Sequence, residues 1–282
     1  MISKTALEQV SDYYHTRESR WGYQLVLGGA KHFGYYPAGV KGLTMRQAGR
    51  IMEDKLGSTI GLAPGSKVLD AGCGMGRVGT YLAKHFGYEI EGIDLLDFNI
   101  TEAKRFAARN GEAEHTNFQI GDYSKLPFPA DSFDAVYTME TFVHAPDFRA
   151  VLAEFRRVLK PGGRLILFEY TIAPFDEMDA VARKSFKEVI AGSAMHALPQ
   201  FTHGSFPDHL EKAGFVQPKV ADATALVVPM VRRFNQLAWL PYQIYTRTNR
   251  PKASYVNVQA SVEWFRHAKY FRFVIVSTEK PQ

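Results

Sequence analysis

KVLDAGCGMGRVG, residues 67–79, runs from an apolar pair, Val68 and Leu69, into an acid, Asp70, and then places Gly72, Gly74 and Gly76 at alternate positions. An apolar run that stops on an acid and a glycine turn reads as a buried strand feeding a loop. A ligand can approach the backbone of such a loop closely, because glycine has no Cβ and accepts φ > 0. The acid at the strand end suits a cation or hydroxyl groups. Gly74, Gly76 and Gly79 also spell GxGxxG, the dinucleotide fingerprint, so two nucleotide-type readings compete on this stretch alone.

Outward from this turn, strands and helices alternate. Arg77–Phe86 reads as a helix and Tyr88–Asp94 as a second strand ending in an acid. Asn99–Asn110 carries Ile100, Ala103, Phe106 and Ala107 at helical spacing. Asn117–Ile120 and Phe133–Thr138 read as further strands. A helix over Phe148–Leu159 is stopped by Lys160-Pro161-Gly162-Gly163, and Arg164–Tyr170 follows as a fifth strand. This alternation predicts an α/β fold with a doubly wound sheet. Ligands of such sheets bind at the carboxyl ends of strands, where Asp70, Asp94, Asp122 and Glu140 fall.

Residues 1–60 read as an N-terminal helical and aromatic cap, 61–170 as the ligand-binding core, and 171–282 as the rest of the sheet. The last part holds helices around Asp176–Ile190 and Phe206–Ala213, a strand near Phe215–Val220, and a cap insertion over about residues 226–267. Its final strand, Phe271–Val276, is expected to be antiparallel, because no crossover helix directly precedes it. The expected sheet thus has seven strands, with helical additions closing over their ends.

Composition bounds the function. With 46% apolar residues the 282-residue chain buries a sizeable core, and nothing in it reads as low complexity. The net charge is +5, with the basic excess clearest toward the end, at Arg232, Arg233, Arg247, Arg250, Lys252, Arg266, Lys269 and Arg272. That excess reads as a solvated surface, or as attraction to an anionic membrane or a phosphorylated ligand. No nucleic-acid recognition module is apparent. The single cysteine, Cys73, excludes an internal disulfide framework and fits as a small residue of the turn. The first residues lack a secretory apolar segment and no run is long enough to span a bilayer, so a cytoplasmic location is expected. No metal-ligand cluster appears. The oligomeric state is not legible.

Five ordered stretches resemble a class I S-adenosylmethionine-dependent methyltransferase: VLDAGCGMG, EIEGID, QIGDYSKLPF, FDAVYTMETFVHAP and VLKPGGRLILFEY. FDAVYTMETFVHAPDF, with VLKPGG and FEY behind it, is similar to sterol and tocopherol C-methyltransferases, and SRWGYQLVLGGAKHFGYYP to their aromatic N-terminal segment. The resemblance implies a Rossmann-like methyltransferase sheet and S-adenosyl-L-methionine as cofactor. It places the backbone of Gly72, Gly74 and Gly76, with Cys73 between them, against the methionine and ribose portions. Asp70 then orders contacts to the cationic amino-acid part, Asp94 accepts from the ribose hydroxyls, Leu95 packs on the adenine, and Asp122 with Tyr123 meets its amino group. Asp97 is assigned to capping the next helix.

A sulfonium methyl is already activated, so the protein mainly aligns an acceptor and excludes water. Methylating an alkene carbon also creates a cation that needs aromatic or carboxylate stabilisation and a base. Glu140 and His144 are the candidate catalytic residues. Trp21, Tyr23, Tyr35, Tyr36, His203, Trp239 and Tyr242 are the candidate walls of a pocket for a small apolar substrate. The favoured reading is methyl transfer to a carbon of a sterol-like, terpenoid or prenylated compound in lipid or secondary metabolism. Oxygen or nitrogen methylation of a specialised metabolite, or a methyltransferase-like cyclase that binds the cofactor without transferring methyl, stand as alternatives. The aromatic and basic late insertion also suits peripheral contact with a membrane surface.

Overall fold

The computed structural model describes residues 5–16, 30–248 and 255–282. Seven strands form one sheet in the order β3-β2-β1-β4-β5-β7-β6. β1 (Lys67–Ala71), β2 (Glu89–Asp94), β3 (Thr116–Ile120), β4 (Phe133–Met139) and β5 (Leu159–Ile172) run parallel. β7 (Phe271–Glu279) lies antiparallel between β5 and β6 (Val216–Asp222), as the missing crossover helix predicts. Both alternating sets of side chains are buried along most of β1 and β4, so these strands are covered on two faces. The strand order reverses between β1 and β4, which opens the ligand crevice beyond their carboxyl ends.

The helices follow from their apolar spacing and their caps. In α5 (Phe148–Val158), Phe148, Val151, Leu152, Phe155 and Val158 are buried on one stripe, and Asp147 caps the start by accepting from the Arg149 and Ala150 N–H groups. α3 (Arg77–Phe86) and α4 (Asp97–Asn110) end at Gly87 and Gly111, each left-handed. Two local expectations are corrected. Lys160-Pro161-Gly162-Gly163 does not separate α5 from β5 but forms a bulge inside β5, where the pairing with β4 jumps from Phe133↔Leu159 to Ala135↔Arg164. The helix expected from Asp176 starts at α6 (Ala180–Gly192), because Asp179 is its cap.

The late insertion is two helices, α8 (Thr224–Thr246) and α9 (Val256–Arg266), which follow α7 (Phe206–Lys212) and β6. At the other end of the chain lie α1 (Ala6–His15) and α2 (Met45–Ile60), each opened by a capping box. Residues from α1, α8 and α9 line the cavities at the carboxyl end of the sheet.

Candidate active site

The three alternate glycines of the turn all have positive φ, 93° at Gly72, 51° at Gly74 and 68° at Gly76, but they do different work. A Cβ on Gly72 would sit 2.7 Å from Thr141 Oγ1, the hydroxyl that donates to the Ala71 carbonyl and ties the ends of β1 and β4 together. A Cβ on Gly76 would meet Ala103 Cβ at 2.7 Å and Phe118 Cζ at 2.9 Å, so this glycine lets α3 pack on its neighbours, and it does not line the cleft. A Cβ on Gly74 would meet nothing within 4 Å. Gly74 is the position of the three whose missing side chain leaves room for a ligand.

Above Gly74 lies a cleft of about 1000 Å³, its open mouth included. Asp70, Gly72, Cys73, Gly74, Asp94, Leu95, Asp122 and Tyr123 line it, as do Glu140 and His144. Asp94 accepts from the Gly74 N–H (2.9 Å), the Leu96 N–H (3.0 Å) and Asn99 Nδ2 (2.9 Å), which fixes the loop to the start of α4. Burial pushes its carboxyl pKa up, and the Asn99, Leu96 and Gly74 donors act against that. The capping role expected of Asp97 is not fulfilled. Asp97 is the first residue inside α4, Leu96 stands at the cap, and no side chain caps the helix.

Asp70 is buried and its pKa is pushed up to about 7, first by burial and further by Asp94. Burial also holds the Cys73 thiol protonated, well above its ordinary pKa, which suits a packing role rather than a nucleophile. Asp122 is held by Ser124, accepting from its N–H and its hydroxyl, and Tyr123 donates to the Thr141 carbonyl.

α1 covers the cleft, with Leu7, Val10 and Tyr14 among its lining. His144 Nδ1 lies 3.1 Å from the Ala194 carbonyl, which only accepts, so Nδ1 carries the proton. Nε2 then accepts from the Tyr14 hydroxyl at 3.0 Å. Burial lowers the His144 pKa to about 4. A neutral ring whose acceptor nitrogen is already engaged is arranged to anchor α1 rather than to take a proton.

A second cavity, about 1540 Å³ with its mouth, adjoins the first and is mostly apolar. Its walls come from α8 and α9 together with Phe33, Tyr170 and Phe271. Lys31, His32 and Glu140 line both cavities and so mark their junction. Adjacent α1 tyrosines divide between the two: Tyr14 faces the first, while Tyr13 lines the second and donates to Asn257 at 2.7 Å.

Glu140 sits just past β4 with φ 59°, a backbone conformation that non-glycine residues rarely adopt and that is often held in place at functional sites. It accepts from the Phe33 N–H at 2.5 Å and from the Tyr170 hydroxyl. Burial raises its pKa to about 7, against the His32 charge and these donors. Behind it, Glu169 accepts from Thr138 and from the Thr141 and Phe142 N–H groups, which holds the turn that carries Glu140. His32 Nδ1 lies 2.9 Å from the Phe33 carbonyl and Nε2 3.4 Å from Glu53. Both partners accept, an arrangement that favours the protonated ring. Burial acts against that charge, but Glu53 and Glu140 outweigh it and leave the pKa raised.

The expected aromatic walls lie elsewhere. Tyr35 packs on the main core, and Tyr36 is buried with Ala48 and Met230, its hydroxyl accepting from Arg233. His203 pairs with Thr171 at 2.9 Å, Tyr242 donates to Glu263, and Trp239 is 53% exposed. None of these five lines either cavity. Trp21 and Tyr23 lie outside the described residues. Phe33, of the same aromatic segment, does line the second cavity, and unforeseen members include Tyr13, Tyr14, Asn99, Thr141, Tyr170 and Trp264. The apolar spacing of Leu7, Val10 and Tyr14 was the available signal for α1.

The first cleft fits a nucleoside joined to an amino acid. Gly74 opens its floor, Asp94 and Asp122 supply acceptors, and Arg77 Nε and Asn99 Oδ1 are a buried donor and a buried acceptor without partners. A family model described as a methyltransferase domain matches residues 69–167. Over its whole length the chain is similar to an S-adenosyl-L-methionine-dependent Diels-Alderase of Talaromyces variabilis, 34% identical over 99% of this chain and 97% of that one. A sterol 24-C-methyltransferase of Yarrowia lipolytica is 35% identical over 63% of this chain and 43% of its own length.

Two solved structures share the fold. The [4+2]-cyclase SpnF has a TM-score of 0.73 at 23% identity, over 89% of this chain and 87% of its own. The geranyl diphosphate C-methyltransferase of Streptomyces coelicolor A3(2) has 0.73 at 17%, over 99% of each chain. The ordered motifs, the sheet order and the full-length likeness agree that this chain belongs to the class I S-adenosyl-L-methionine-dependent methyltransferase family, with S-adenosyl-L-methionine as its cofactor.

Proposed function

We propose that this protein is a cyclase that binds S-adenosyl-L-methionine without transferring its methyl group. It would fold an apolar polyene so that a diene and an alkene of the same molecule join in a [4+2] cycloaddition. One observation carries this reading over the methylating one. The likeness to the Diels-Alderase runs through 99% of the chain, including the α8 and α9 walls outside residues 69–167, whereas the sterol enzyme matches 63% of it.

In such a step three π bonds become two σ bonds and one π bond. Nothing is added or lost, and no proton has to move. The protein's work is to hold the chain in its reactive fold and to meet the polarity that develops. The second cavity suits both tasks, with a large apolar wall and a few polar groups: the Asn257 side chain, and the Ser193 and Ser261 hydroxyls, which donate to the Val189 and Asn257 carbonyls and can accept from a substrate hydroxyl. Glu140 acts as a positioning residue, tying the Phe33 backbone to the Tyr170 ring, with its pKa raised by burial to about 7. His32 stands at the junction between the Phe33 carbonyl and Glu53. When bound, the cofactor supplies a sulfonium charge on the cleft side.

Methylation of an alkene carbon is the second reading, favoured by Glu140 at the junction and by the Tyr170, Trp264 and Phe271 rings around it. A panel of linear polyenes incubated with the protein and its cofactor separates the two. Cyclisation yields a product of unchanged mass without adenosylhomocysteine. A product heavier by one methyl group, formed one for one with adenosylhomocysteine, would replace the first reading by the second.

A further inference from the structure

α8 turns a second apolar surface outward. Ten large apolar side chains are exposed among the described residues, and four of them fall within eight positions of α8: Leu237 (57%), Trp239 (53%), Leu240 (61%) and Ile244 (53%). A helix on a globular surface normally presents polar residues there. Leu237, Leu240 and Ile244 stand at i, i+3 and i+7, so they form one stripe. The 23 residues of α8 contain no acid, while Arg232 and, just past the helix end, Arg247 are exposed. Phe234, Ala238 and Pro241 on the adjoining edge of the helix line the apolar cavity, and Leu237 both lines it and is exposed. The stripe therefore runs into the cavity mouth.

We infer that this face of α8 seats on an anionic lipid surface, with its arginines among the headgroups and the Leu240–Ile244 stripe in the acyl boundary. Charge decides the occupant. A second copy seated on the same face would set arginine against arginine, with no acid on either helix to answer them. An anionic bilayer supplies both the apolar phase and the negative charge. No helix among the described residues is long and apolar enough to cross a membrane, so the contact is peripheral. Such a contact would let an apolar substrate enter the cavity from the lipid. That loading role rests on the proposed apolar substrate, whereas the lipid contact does not.

The test is co-sedimentation of the full chain with phosphatidylcholine vesicles, with and without phosphatidylserine. Each arginine at the surface contributes roughly fivefold, so binding to the serine-containing vesicles should be about 25-fold tighter. Arg232→Glu/Arg247→Glu should abolish that preference. Leu240→Ser/Ile244→Ser should lose binding to both vesicle types while keeping the melting temperature and the cofactor affinity. Absence of binding by the unaltered protein would overturn the inference, as would binding that both variants retain. So would self-association in gel filtration that the Leu240→Ser/Ile244→Ser variant alone abolishes.

Discussion

Gly74→Ala separates ligand approach from folding within a single turn. At φ 51° an alanine is strained by about 1–2 kcal/mol. Its methyl group meets no protein atom within 4 Å and instead projects into the cleft. A methyl forced into an occupied site costs about 1–3 kcal/mol, or roughly 5- to 150-fold in Kd. Gly76→Ala carries similar backbone strain at φ 68°, but its methyl would lie 2.7 Å from Ala103 Cβ and 2.9 Å from Phe118 Cζ. Overpacking then adds about 1–3 kcal/mol to the folding cost. The assay pairs calorimetric titration of S-adenosyl-L-methionine with thermal melting. The Gly74→Ala protein should lose only the melting temperature that backbone strain costs, less than Gly76→Ala loses, and bind the cofactor at least about fivefold more weakly. The Gly76→Ala protein should lose mainly melting temperature. A Gly74→Ala protein with unchanged cofactor affinity, or one destabilised as much as Gly76→Ala, would refute the division of labour among the glycines.

Three further outcomes are expected. Glu140→Gln keeps an acceptor for the Phe33 N–H and an amide beside the Tyr170 hydroxyl, so a residue that only positions should let cyclisation survive within about tenfold, whereas loss of a true general base costs about 10²–10⁴-fold. Tyr14→Phe leaves the buried His144 Nε2 without its donor, so it should cost about 1–3 kcal/mol in a denaturation curve and weaken cofactor binding by loosening α1. Burial raises the pKa of Asp70 from 3.8 to about 7, of Glu140 from 4.5 to about 7 and of Glu169 from 4.5 to about 8. Folding favours their protonated forms, so this contribution is fully present below about pH 4 and is lost as pH rises through 7 to 8. The melting temperature of the cofactor-free protein should therefore fall between about pH 5 and pH 8, and a rise across that window would contradict the assignment.

The lining of the first cleft was readable because it comes from the ends of successive parallel strands. Asp70, Asp94 and Asp122 are at strand ends whatever the rest of the chain does, and local alternation is enough to place them. The antiparallel β7 was readable for a similar reason, through the missing crossover. The substrate side was not. Its walls depend on which face of α8 and α9 turns inward, and both faces of α8 are apolar: Phe234 and Ala238 line the cavity while Trp239 and Leu240 face out. Tyr242 and His203 have the composition of pocket residues, but Glu263 and Thr171, distant in sequence, engage them. The Glu140 junction was visible only in part. Glu140 itself follows a strand, whereas His32, Phe33 and Tyr170 reach it through tertiary contacts that leave no spacing to detect.

The most direct test of the central claim follows the methyl group. The purified protein, loaded with methyl-labelled S-adenosyl-L-methionine, is given the polyene fraction of its native extract, and label, adenosylhomocysteine and product mass are tracked together over many turnovers. The account predicts a ring-closed product of unchanged mass, no label in it, and a cofactor pool that stays intact while turnover requires its presence. Label in the product, with one adenosylhomocysteine for each molecule converted, would contradict it.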